Sequence, residues 1–414
     1  MFRRSWALRA SLSCLAGSAA LALTGAASPA TPSAGRAAQT SVTVRAWGNN
    51  DSGQLGKGTT GGLSASPVKV RLPAGITVTS LRAGCEHTLA LTSAGGVLAW
   101  GAGERGQLGD GSKASKNTPV KVKLPAGTKA TAVRAGCEHS LALTAAGHLL
   151  AWGFNALGEL GTGSTTRSLL PVRVRLPRGT LVKAVSAGCD HSLALTSTGQ
   201  VFAWGYNQNG QVGNGTNTDQ LTPVRVHLPQ GATANLIAAG CDHSFAFTSD
   251  GTLYGWGRND SGQLGNGTRT DSNVPVPISF PLLRAGAPLP KPNGLFAGCN
   301  HTYILFPQGT LLAWGDNTYG QLGDGTTGGF SDVPVSVHYP SGDMIKAVSA
   351  GCRHGLALTS TGQVLAWGDN GTGQLGTGNP RGSNVPVPVA LPSGVSGTAI
   401  ASGPGALHSF AIVH

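Results

Sequence analysis

Six short segments of the sequence place a thiol and an imidazole two residues apart. Each has the form Cys-x-His, and the segments are Cys85/His87, Cys137/His139, Cys189/His191, Cys241/His243, Cys299/His301 and Cys352/His354. A thiol beside an imidazole could form a nucleophile with its base, or two ligands of a metal ion. Catalysis needs one asymmetric constellation, whereas six copies are explained more simply by a repeated structural unit. We therefore predict that these Cys-x-His triplets belong to the scaffold.

Other catalytic signatures are missing from the sequence. The segment GQLGKGTT at residues 53–60 has the wrong glycine spacing for a phosphate-binding loop, and Lys57 precedes a glycine instead of Ser or Thr. No Gly-x-Ser-x-Gly nucleophile segment occurs. Because the carboxylates are scattered and no polar group breaks the symmetry of the repeats convincingly, we expect neither an enzyme nor an axial catalytic site.

A repeat organises the chain. Its clearest marker is a tryptophan in the tripeptide [Ala/Gly]-Trp-Gly, which occurs at Trp47, Trp100, Trp152, Trp204, Trp256, Trp314 and Trp367. Each copy continues with Gly-[Gln/Glu]-[Leu/Val]-Gly and then Pro-Val-x-[Val/Ile]. Gly-rich turns separate four short apolar segments per copy, and four-stranded sheets cover one another when arranged radially. The sequence predicts an all-β, seven-bladed β-propeller with four-stranded blades over residues 42–414.

The two ends of this region complete each other. Residues 42–48 and 67–72 supply only the last two strands of a unit, and the missing first two appear in residues 399–403 and 408–413. Sharing one blade between the N- and C-terminal strands would close the ring without open sheet edges. We predict this arrangement.

The repeat also resembles that of a known family. The stretch AGCDHSLALTSTGQVFAWGYNQNGQVGNGT, followed by PVRV, is similar to the repeat of the regulator of chromosome condensation (RCC1-like) family, and the resemblance covers residues 42–414. It implies a propeller whose faces bind other proteins. Among the activities that it implies are nucleotide exchange on a small GTPase and, for secreted relatives, inhibition of β-lactamase.

The six repeat cysteines leave three interpretations open: buried thiols, disulfides between neighbouring blades, and metal ligands. Positions i and i+2 of a strand share a side, so each Cys should face the same neighbouring blade as its His. Disulfide geometry is attainable only close to the axis, and it allows pairs such as Cys85–Cys137, Cys189–Cys241 and Cys299–Cys352. Metal is the weakest interpretation, since no Cys-x2-4-Cys segment occurs. We predict no metal site and no cofactor.

The loop after each tryptophan departs most from the repeat. It contains NNDS, AGER, FNAL, YNQN, RNDS, DNTY and DNGT in the seven copies. Exposed aromatic and arginine side chains on rigid loops suit a protein contact, although loops also drift in sequence without function. The candidate partner-binding residues are Phe154, Leu157, Tyr206, Arg258 and Tyr319. The middle residues of the triplets vary too, and should form a graded polar arc: Glu86, Glu138, Asp190, Asp242, Asn300 and Arg353.

The fourth strand is cationic in its first four copies, which contain PVKVRLP, PVKVKLP, PVRVRLP and PVRVHLP. Valine should point inward and the cations outward, which makes half of the rim basic through Lys69, Arg71, Lys121, Lys123, Arg173, Arg175 and Arg225. Such cations can simply block edge-to-edge aggregation, or they can attract an anionic polymer or acidic protein. Because no helix or aromatic stacking platform accompanies them, we expect no sequence-specific nucleic-acid binding.

The N-terminal residues resemble an export signal. Arg3, Arg4 and Arg9 precede an apolar, alanine-rich run and then small residues, which predicts a signal peptide over residues 1–30 and a linker over residues 31–41. No other apolar run approaches the ~20 residues that span a membrane. We therefore expect a secreted bacterial protein, monomeric and without a transmembrane segment.

These features together predict a non-enzymatic binding or scaffold propeller that recognises an extracellular protein or a cell-wall polymer through its variable face loops. A second hypothesis is an inhibitor of an extracellular enzyme. A third, guanine-nucleotide exchange, fits poorly with an exported chain.

Overall fold

The computed structural model describes residues 42–280, 288–340 and 342–414. The predicted signal peptide and linker, residues 1–30 and 31–41, lie outside the described residues. The described chain forms 28 strands in seven four-stranded antiparallel sheets, which confirms the predicted seven-bladed propeller. Helix within these residues is limited to one 3-10 turn, Pro307–Gly309, and no helix among them is long and apolar enough to cross a membrane.

The innermost strands surround the axis, and each contacts the innermost strands of both neighbouring blades. They are β3 (Val78–Ala83), β7 (Ala130–Ala135), β11 (Val182–Ala187), β15 (Ala234–Ala239), β19 (Gly294–Ala297), β23 (Ile345–Ala350) and β27 (Gly397–Ala401). Their fourth residue is buried between blades, as Leu81 is in β3.

The second and third strands form the centre of each sheet and are almost wholly buried, because a neighbouring blade covers each of their faces. The second strands are β4 (His87–Thr92), β8 (His139–Thr144), β12 (His191–Thr196), β16 (His243–Thr248), β20 (His301–Leu305), β24 (His354–Thr359) and β28 (His408–Val413). The third strands are β1 (Thr43–Asn49), β5 (Val97–Gly101), β9 (Leu149–Gly153), β13 (Val201–Gly205), β17 (Leu253–Gly257), β21 (Leu311–Asp316) and β25 (Val364–Gly368).

The outer strands are only partly covered. They are β2 (Leu63–Lys69), β6 (Lys116–Lys121), β10 (Ser168–Arg173), β14 (Gln220–Arg225), β18 (Ser272–Pro277), β22 (Phe330–Ser336) and β26 (Ser383–Pro388). We number the blades 1 to 6 from β3–β6 to β23–β26 in chain order. The seventh, the closing blade, has the strand order β2-β1-β28-β27.

The closing blade joins the two ends of the described chain. Strand β1 pairs antiparallel with β28 from Thr43 opposite Val413 to Gly48 opposite His408. The prediction that the N- and C-terminal strands share a blade is therefore confirmed.

The repeat tryptophans hold neighbouring blades together. All seven are fully buried, and each indole Nε1–H donates to a main-chain carbonyl in the Gly-[Gln/Glu]-[Leu/Val]-Gly loop of the preceding blade. The pairs, 2.8–3.0 Å apart, are Trp47–Gln374, Trp100–Gln54, Trp152–Gln107, Trp204–Glu159, Trp256–Gln211, Trp314–Gln263 and Trp367–Gln321. The loop's last residue must be glycine: a Cβ on Gly109, whose φ is +64°, would lie 2.7 Å from Nε1 of Trp152.

The histidines form a second layer of contacts between blades. At six of the seven contacts a histidine Nε2 lies 2.8–3.2 Å from a Ser or Thr hydroxyl of the next blade: His87–Ser140, His139–Ser192, His191–Ser244, His243–Thr302, His354–Ser409 and His408–Thr88. Burial lowers the pKa of His191, His301, His354 and His408 to about 3, so these imidazoles are neutral at pH 7. Buried, neutral rings engaged with the next blade act as scaffold.

The contact between blades 5 and 6 departs from this pattern. Blade 6 has Gly355 where the other blades have Ser or Thr, so within the described residues Nε2 of His301 has no hydroxyl partner. The hydroxyl of Tyr303 instead donates to the main-chain carbonyl of Gln321, which Trp367 also binds. A Cβ on Gly355 would lie 2.6 Å from the Tyr303 oxygen, so the glycine makes room for the tyrosine.

The triplet cysteines form a ring just beyond the inner strands. Disulfides join Cys85 to Cys137 and Cys189 to Cys241, with Cα separations of 4.8 and 4.5 Å. The sulfur atoms of Cys299 and Cys352, both buried, lie 3.2 Å apart. The disulfide interpretation therefore holds for two pairs of neighbouring blades, and the sulfur atoms of the third pair are in contact. Within the described ranges no three His, Cys, Asp or Glu side chains are grouped so that they could hold a metal ion.

Candidate functional site

The two variable sets of residues lie at the same end of the propeller. The second strand of each blade begins there with its His and the antiparallel third strand ends there with Trp-Gly. The first loop residue is tied to the triplet's middle residue: the main-chain N–H of Tyr206 donates to the carbonyl of Asp190 at 2.8 Å, and that of Arg258 to Asp242 at 2.7 Å. We term this end the loop face, formed by the triplet middle residues and by residues 49–52, 102–105, 154–157, 206–209, 258–261, 316–319 and 369–372.

A buried asparagine fixes the backbone of these loops. In the loop after Trp204, Asn207 accepts from the main-chain N–H of Val212 and donates to the carbonyls of Thr216 and Thr218. Equivalent buried asparagines occur in five other copies: Asn50, Asn155, Asn259, Asn317 and Asn370. The variable side chains therefore project from a backbone that is held rigidly.

The predicted exposure of the five candidate residues is only partly right. Tyr319 is 38% exposed, whereas Phe154, Leu157, Tyr206 and Arg258 are half-buried. The expectation of fully exposed side chains is wrong for these four. Arg105 of the adjacent blade covers part of Phe154, and Arg258 lies against Asp242 and Asp260 of its own blade.

Arg105 joins the loops of blades 1 and 2. Its guanidinium carbon lies 5.4 Å from the centre of the Phe154 ring, and its Nε lies 3.5 Å from a carboxylate oxygen of Glu138. A cation over an aromatic face is attracted to it. Phe154 is therefore half-covered by a charged neighbour, and its remaining surface is available for contact.

Tyr206 and Arg258 lie among carboxylates of blades 3 and 4. A guanidinium nitrogen of Arg258 lies 3.7 Å from Asp242, and its Nε donates to Asp260 at 3.0 Å. Burial, and then the charges of Asp242 and other nearby carboxylates, raise the pKa of the Tyr206 phenol. The phenol is neutral at pH 7 and can donate a hydrogen bond to a partner.

Tyr319 makes a similar contact further round the ring. Arg353, the last member of the polar arc, donates to the Tyr319 hydroxyl at 3.0 Å, and its guanidinium carbon lies 4.7 Å from the ring centre. Each candidate aromatic residue except Tyr206 thus packs against an arginine of an adjacent blade.

The polar arc is acidic in blades 1 to 4. Glu86 is exposed and accepts from the hydroxyl of Ser52 at 2.9 Å, Glu138 is half-buried, and Asp190 is 8% exposed. Asn300 and Arg353 replace the carboxylate in blades 5 and 6. The aromatic and arginine residues of blades 1 to 4 therefore lie beside a continuous acidic sector.

One carboxyl beneath this sector was not singled out from the sequence. Glu159 stands where the other six loops have Gln, and it is fully buried. Burial and the nearby charge of Asp190 raise its pKa to about 8, so it is protonated at pH 7. One of its oxygens accepts from the main-chain N–H of Leu157 at 3.0 Å. The signal was available in the sequence as the single Glu at a Gln position.

The opposite end of the propeller contains a cavity between the innermost strands. Arg82 and Arg134 line it, so the expectation that no polar group breaks the symmetry is wrong. Its lining residues include no Asp, Glu, His or Cys, and every Asp and Glu of the sequence lies in the described part of the chain. The charged side chains that line the cavity are therefore all cationic: Arg82, Arg134, Lys183 and Lys291.

The rim cations face solvent, away from both ends. All seven are exposed on the outer strands or directly after them in the closing blade and blades 1 to 3, which are consecutive in the ring. The second valine of each segment is buried, as Val70 and Val122 show, and the first is partly buried. Arg71, the second cation of its strand, also packs over a glycine turn, because a Cβ on Gly58 would lie 2.6 Å from one of its guanidinium nitrogens. Anion binding by this rim remains a prediction.

Comparison with known proteins identifies the family to which this propeller belongs. A model of the RCC1-like domain matches residues 30–289, and models of the regulator of chromosome condensation (RCC1) repeat match residues 308–358 and 361–412. The chain belongs to the RCC1-like repeat family. Within the family it is similar to the ultraviolet-B receptor UVR8 of Arabidopsis thaliana, with 34% identity over 83% of this chain and 76% of the receptor.

Two further relatives extend this comparison. The E3 ubiquitin-protein ligase HERC2 of Homo sapiens is 32% identical over 87% of this RCC1-like chain, which spans only 7% of the ligase. Yeast RCC1 (Prp20), solved with Kap60 bound, superposes with a TM-score of 0.76 at 25% identity, covering 90% of this chain and 88% of the yeast protein.

Proposed function

We propose that this RCC1-like propeller is a non-enzymatic binding protein that recognises a partner protein through its loop face. The proposal rests on one observation: Phe154, Tyr206 and Arg258 lie on the rigid loops of the consecutive blades 2 to 4, beside the acidic sector of blades 1 to 4. Aromatic and arginine side chains account for much of the binding energy at protein interfaces. The binding of Kap60 to yeast RCC1 supports a protein partner.

The partner that fits this face has basic and aromatic or apolar side chains at its contact surface. Among the described residues, more carboxylates than arginines surround Tyr206, and Arg105 and Arg258 already pair with Glu138, Asp242 and Asp260. Complementary charge accelerates encounter and excludes acidic partners. The half-covered aromatic rings would then be fully buried in the complex.

We further propose that the protein acts outside a bacterial cell. The support is the N-terminal pattern of arginines, an apolar run and small residues. Sequencing the N-terminus of the protein recovered from culture supernatant tests this, with a start after Ala27 or Ala30 expected. Recovery only from inside the cell, with Met1 retained, would contradict it.

Site-specific photocrosslinking tests the loop face. A photoreactive residue at Tyr206 or Tyr319 should capture the partner from culture supernatant or the cell-wall fraction of the producing organism. The matched control is Met344, an exposed apolar residue directly before β23, at the end of the propeller opposite the loop face. We expect capture at the first two positions and none at Met344.

Affinity for the captured protein then decides the assignment. The double variant Tyr206→Ala/Arg258→Ala should bind at least about tenfold more weakly, a loss of roughly 1.4 kcal/mol, whereas Lys121→Gln/Lys123→Gln should bind normally. Equal capture at all three positions, or unchanged affinity of the loop variant, would argue against the loop face. Loss of binding in the lysine variant alone would move the site to the basic rim and favour a wall polymer.

A further inference from the structure

The end of the propeller opposite the loop face contains a cavity that the proposed function does not use. Its volume is about 740 Å³, within the range of roughly 300–1,000 Å³ that is usual for small-molecule sites. The innermost strands β3, β7, β11 and β15 form its wall together with residues 291–293. We term it the axial cavity.

The axial cavity is cationic. Its lining includes four positively charged side chains, which are Arg82, Arg134, Lys183 and Lys291. No Asp or Glu side chain lines it. This statement holds for the whole sequence, because all 17 Asp and Glu residues lie in the described part of the chain. Thr79, Thr131 and Asn235 add neutral hydrogen-bonding groups near the opening.

The two arginines lie deep in the cavity wall, and the lysines lie at its mouth. Arg82 and Arg134 are 8% and 6% exposed, whereas Lys183 and Lys291 are exposed. Each arginine has a main-chain partner: a guanidinium nitrogen of Arg82 donates to the carbonyl of Leu81, and one of Arg134 donates to that of Val133 at 2.8 Å. Because β3 and β7 are neighbours in the ring, the two arginines come from adjacent blades. A ligand in the cavity would therefore meet positive charge from both blades.

The propeller itself does not require these arginines. The equivalent positions in the other five blades are Ser186, Ala238, Phe296, Ser349 and Ala401. Those blades form the same sheets with uncharged side chains. Departures from a structural rule that gain nothing for the fold are typical of functional sites.

We infer that the axial cavity binds a small organic anion with two or more phosphate or carboxylate groups. Guanidinium groups match the oxygen pairs of both ligand types through two parallel hydrogen bonds. The lysines at the mouth attract the ligand electrostatically. This site shares no residue with the loop face, so either assignment can fail while the other stands.

Calorimetric titration with inorganic pyrophosphate and with citrate tests the inference, with KCl holding the ionic strength constant. We expect saturable one-to-one binding of at least one probe, and the preferred probe identifies phosphate or carboxylate as the ligand group. The variant Arg82→Ser/Arg134→Ser should weaken binding at least about tenfold. Serine is the residue that β11 and β23 have at this position. The matched control, Lys121→Gln/Lys123→Gln, removes the same charge from the rim and should bind normally.

Several outcomes would overturn the inference. These are no saturable binding of either probe by the folded protein, unchanged binding by the serine variant, and equal weakening in the rim control. A polyglutamate peptide that binds where neither probe does would replace the small anion with an acidic protein. If the serine variant does not fold, Lys183→Gln/Lys291→Gln decides, since both side chains are exposed. It should bind about threefold more weakly or worse, and unchanged affinity would contradict the inference.

Discussion

Six of the contacts between neighbouring blades use a histidine and a hydroxyl, and the contact between blades 5 and 6 uses a tyrosine. In the six, a Ser or Thr hydroxyl meets the histidine of one blade and also donates to the Gln or Glu carbonyl, as Ser140 does to Gln107 at 2.9 Å. In the seventh, the Tyr303 hydroxyl donates to that carbonyl and His301 has no hydroxyl to meet. Two features therefore occur at all seven contacts: a second hydrogen-bond donor to the main-chain carbonyl, and side chains that fill the space between the blades. Different residues can supply them.

A second departure is not compensated. Glu159 replaces Gln at the contact between blades 2 and 3, and one of its carboxyl oxygens has no hydrogen-bond partner among the described residues. The carboxyl avoids a buried charge only by staying protonated, with its pKa at about 8. Tyr303 therefore compensates for Gly355, whereas nothing compensates for Glu159, which should reduce stability as the pH rises above about 4.5.

Acidification should have the largest effect, because it acts on both kinds of contact. The pKa of His301, which lacks a hydroxyl, falls to about 3, as do those of His191, His354 and His408, so burial is the shared cause. The unfolded chain takes up protons below its ordinary histidine pKa of 6.5 and the folded chain only near 3. Stability is therefore lost as pH falls through this window.

We expect cooperative acid unfolding with a midpoint between about pH 3 and 5, since the four shifts together exceed a typical stability of ~5–15 kcal/mol. Near-ultraviolet circular dichroism against pH measures it. A native spectrum retained at pH 3 would show that the imidazoles are not held neutral by burial.

Returning a serine to blade 6 should be the most damaging single substitution. In Gly355→Ser the new Cβ would lie 2.4 Å from the Trp367 ring and 2.6 Å from the Tyr303 oxygen, and overpacking of this kind costs about 3 kcal/mol. Adding Tyr303→Leu recreates the residues of the other blades and should recover most of the loss. Denaturant unfolding of both single variants and the double variant measures the coupling, and additive effects would show that the two residues do not compensate for each other.

Glu159→Gln restores the repeat residue and should stabilise the protein in a pH-dependent way. The folded carboxyl keeps its proton up to about pH 8, while the unfolded one loses it near 4.5. Stability of the parent therefore falls between these pH values. We expect a gain on the order of 2 kcal/mol at pH 8 and little at pH 4.5, measured by thermal unfolding at both. A gain that is equal at the two pH values would contradict the raised pKa.

Tyr303→Phe should have the smallest effect of the four. It removes one donor to the Gln321 carbonyl, but Trp367 still donates there at 3.0 Å, so a loss of about 1 kcal/mol is expected. The control Tyr206→Phe removes a half-buried hydroxyl from the loop face and should change the free energy of unfolding less. Equal losses would mean that the Tyr303 hydroxyl has no special role between the blades.

The repeat predicted most of the fold because its period specifies the sheets directly. The tryptophan spacing indicated seven blades, and the divided unit at the two ends indicated the closing blade. Alternation in Pro-Val-x-Val predicted buried Val70 beside exposed Lys69 and Arg71. These features come from repetition along the chain and from alternation within a strand, and a single sequence shows both.

The remaining features depend on residues in different blades. The pairing of Tyr303 with Gly355, and the packing of Arg105 on Phe154, join positions about fifty residues apart and leave no local pattern. Arg82 was overlooked because an arginine in a strand usually faces solvent. Aligning the residue three before each repeat cysteine would have revealed two arginines at a position that is otherwise uncharged.

The shared closing blade sets the order of events during synthesis. Strand β1 emerges from the ribosome early, but its partner β28 emerges more than 350 residues later. Until then the growing chain is an open arc with an unpaired edge at each end, and closing it incurs the entropy of a very long loop. Any chain that stops before residue 408 stays open. A shortened chain therefore differs from a finished one in its unpaired strand edges, which can pair with other chains, whereas closure of the ring pairs these edges with each other.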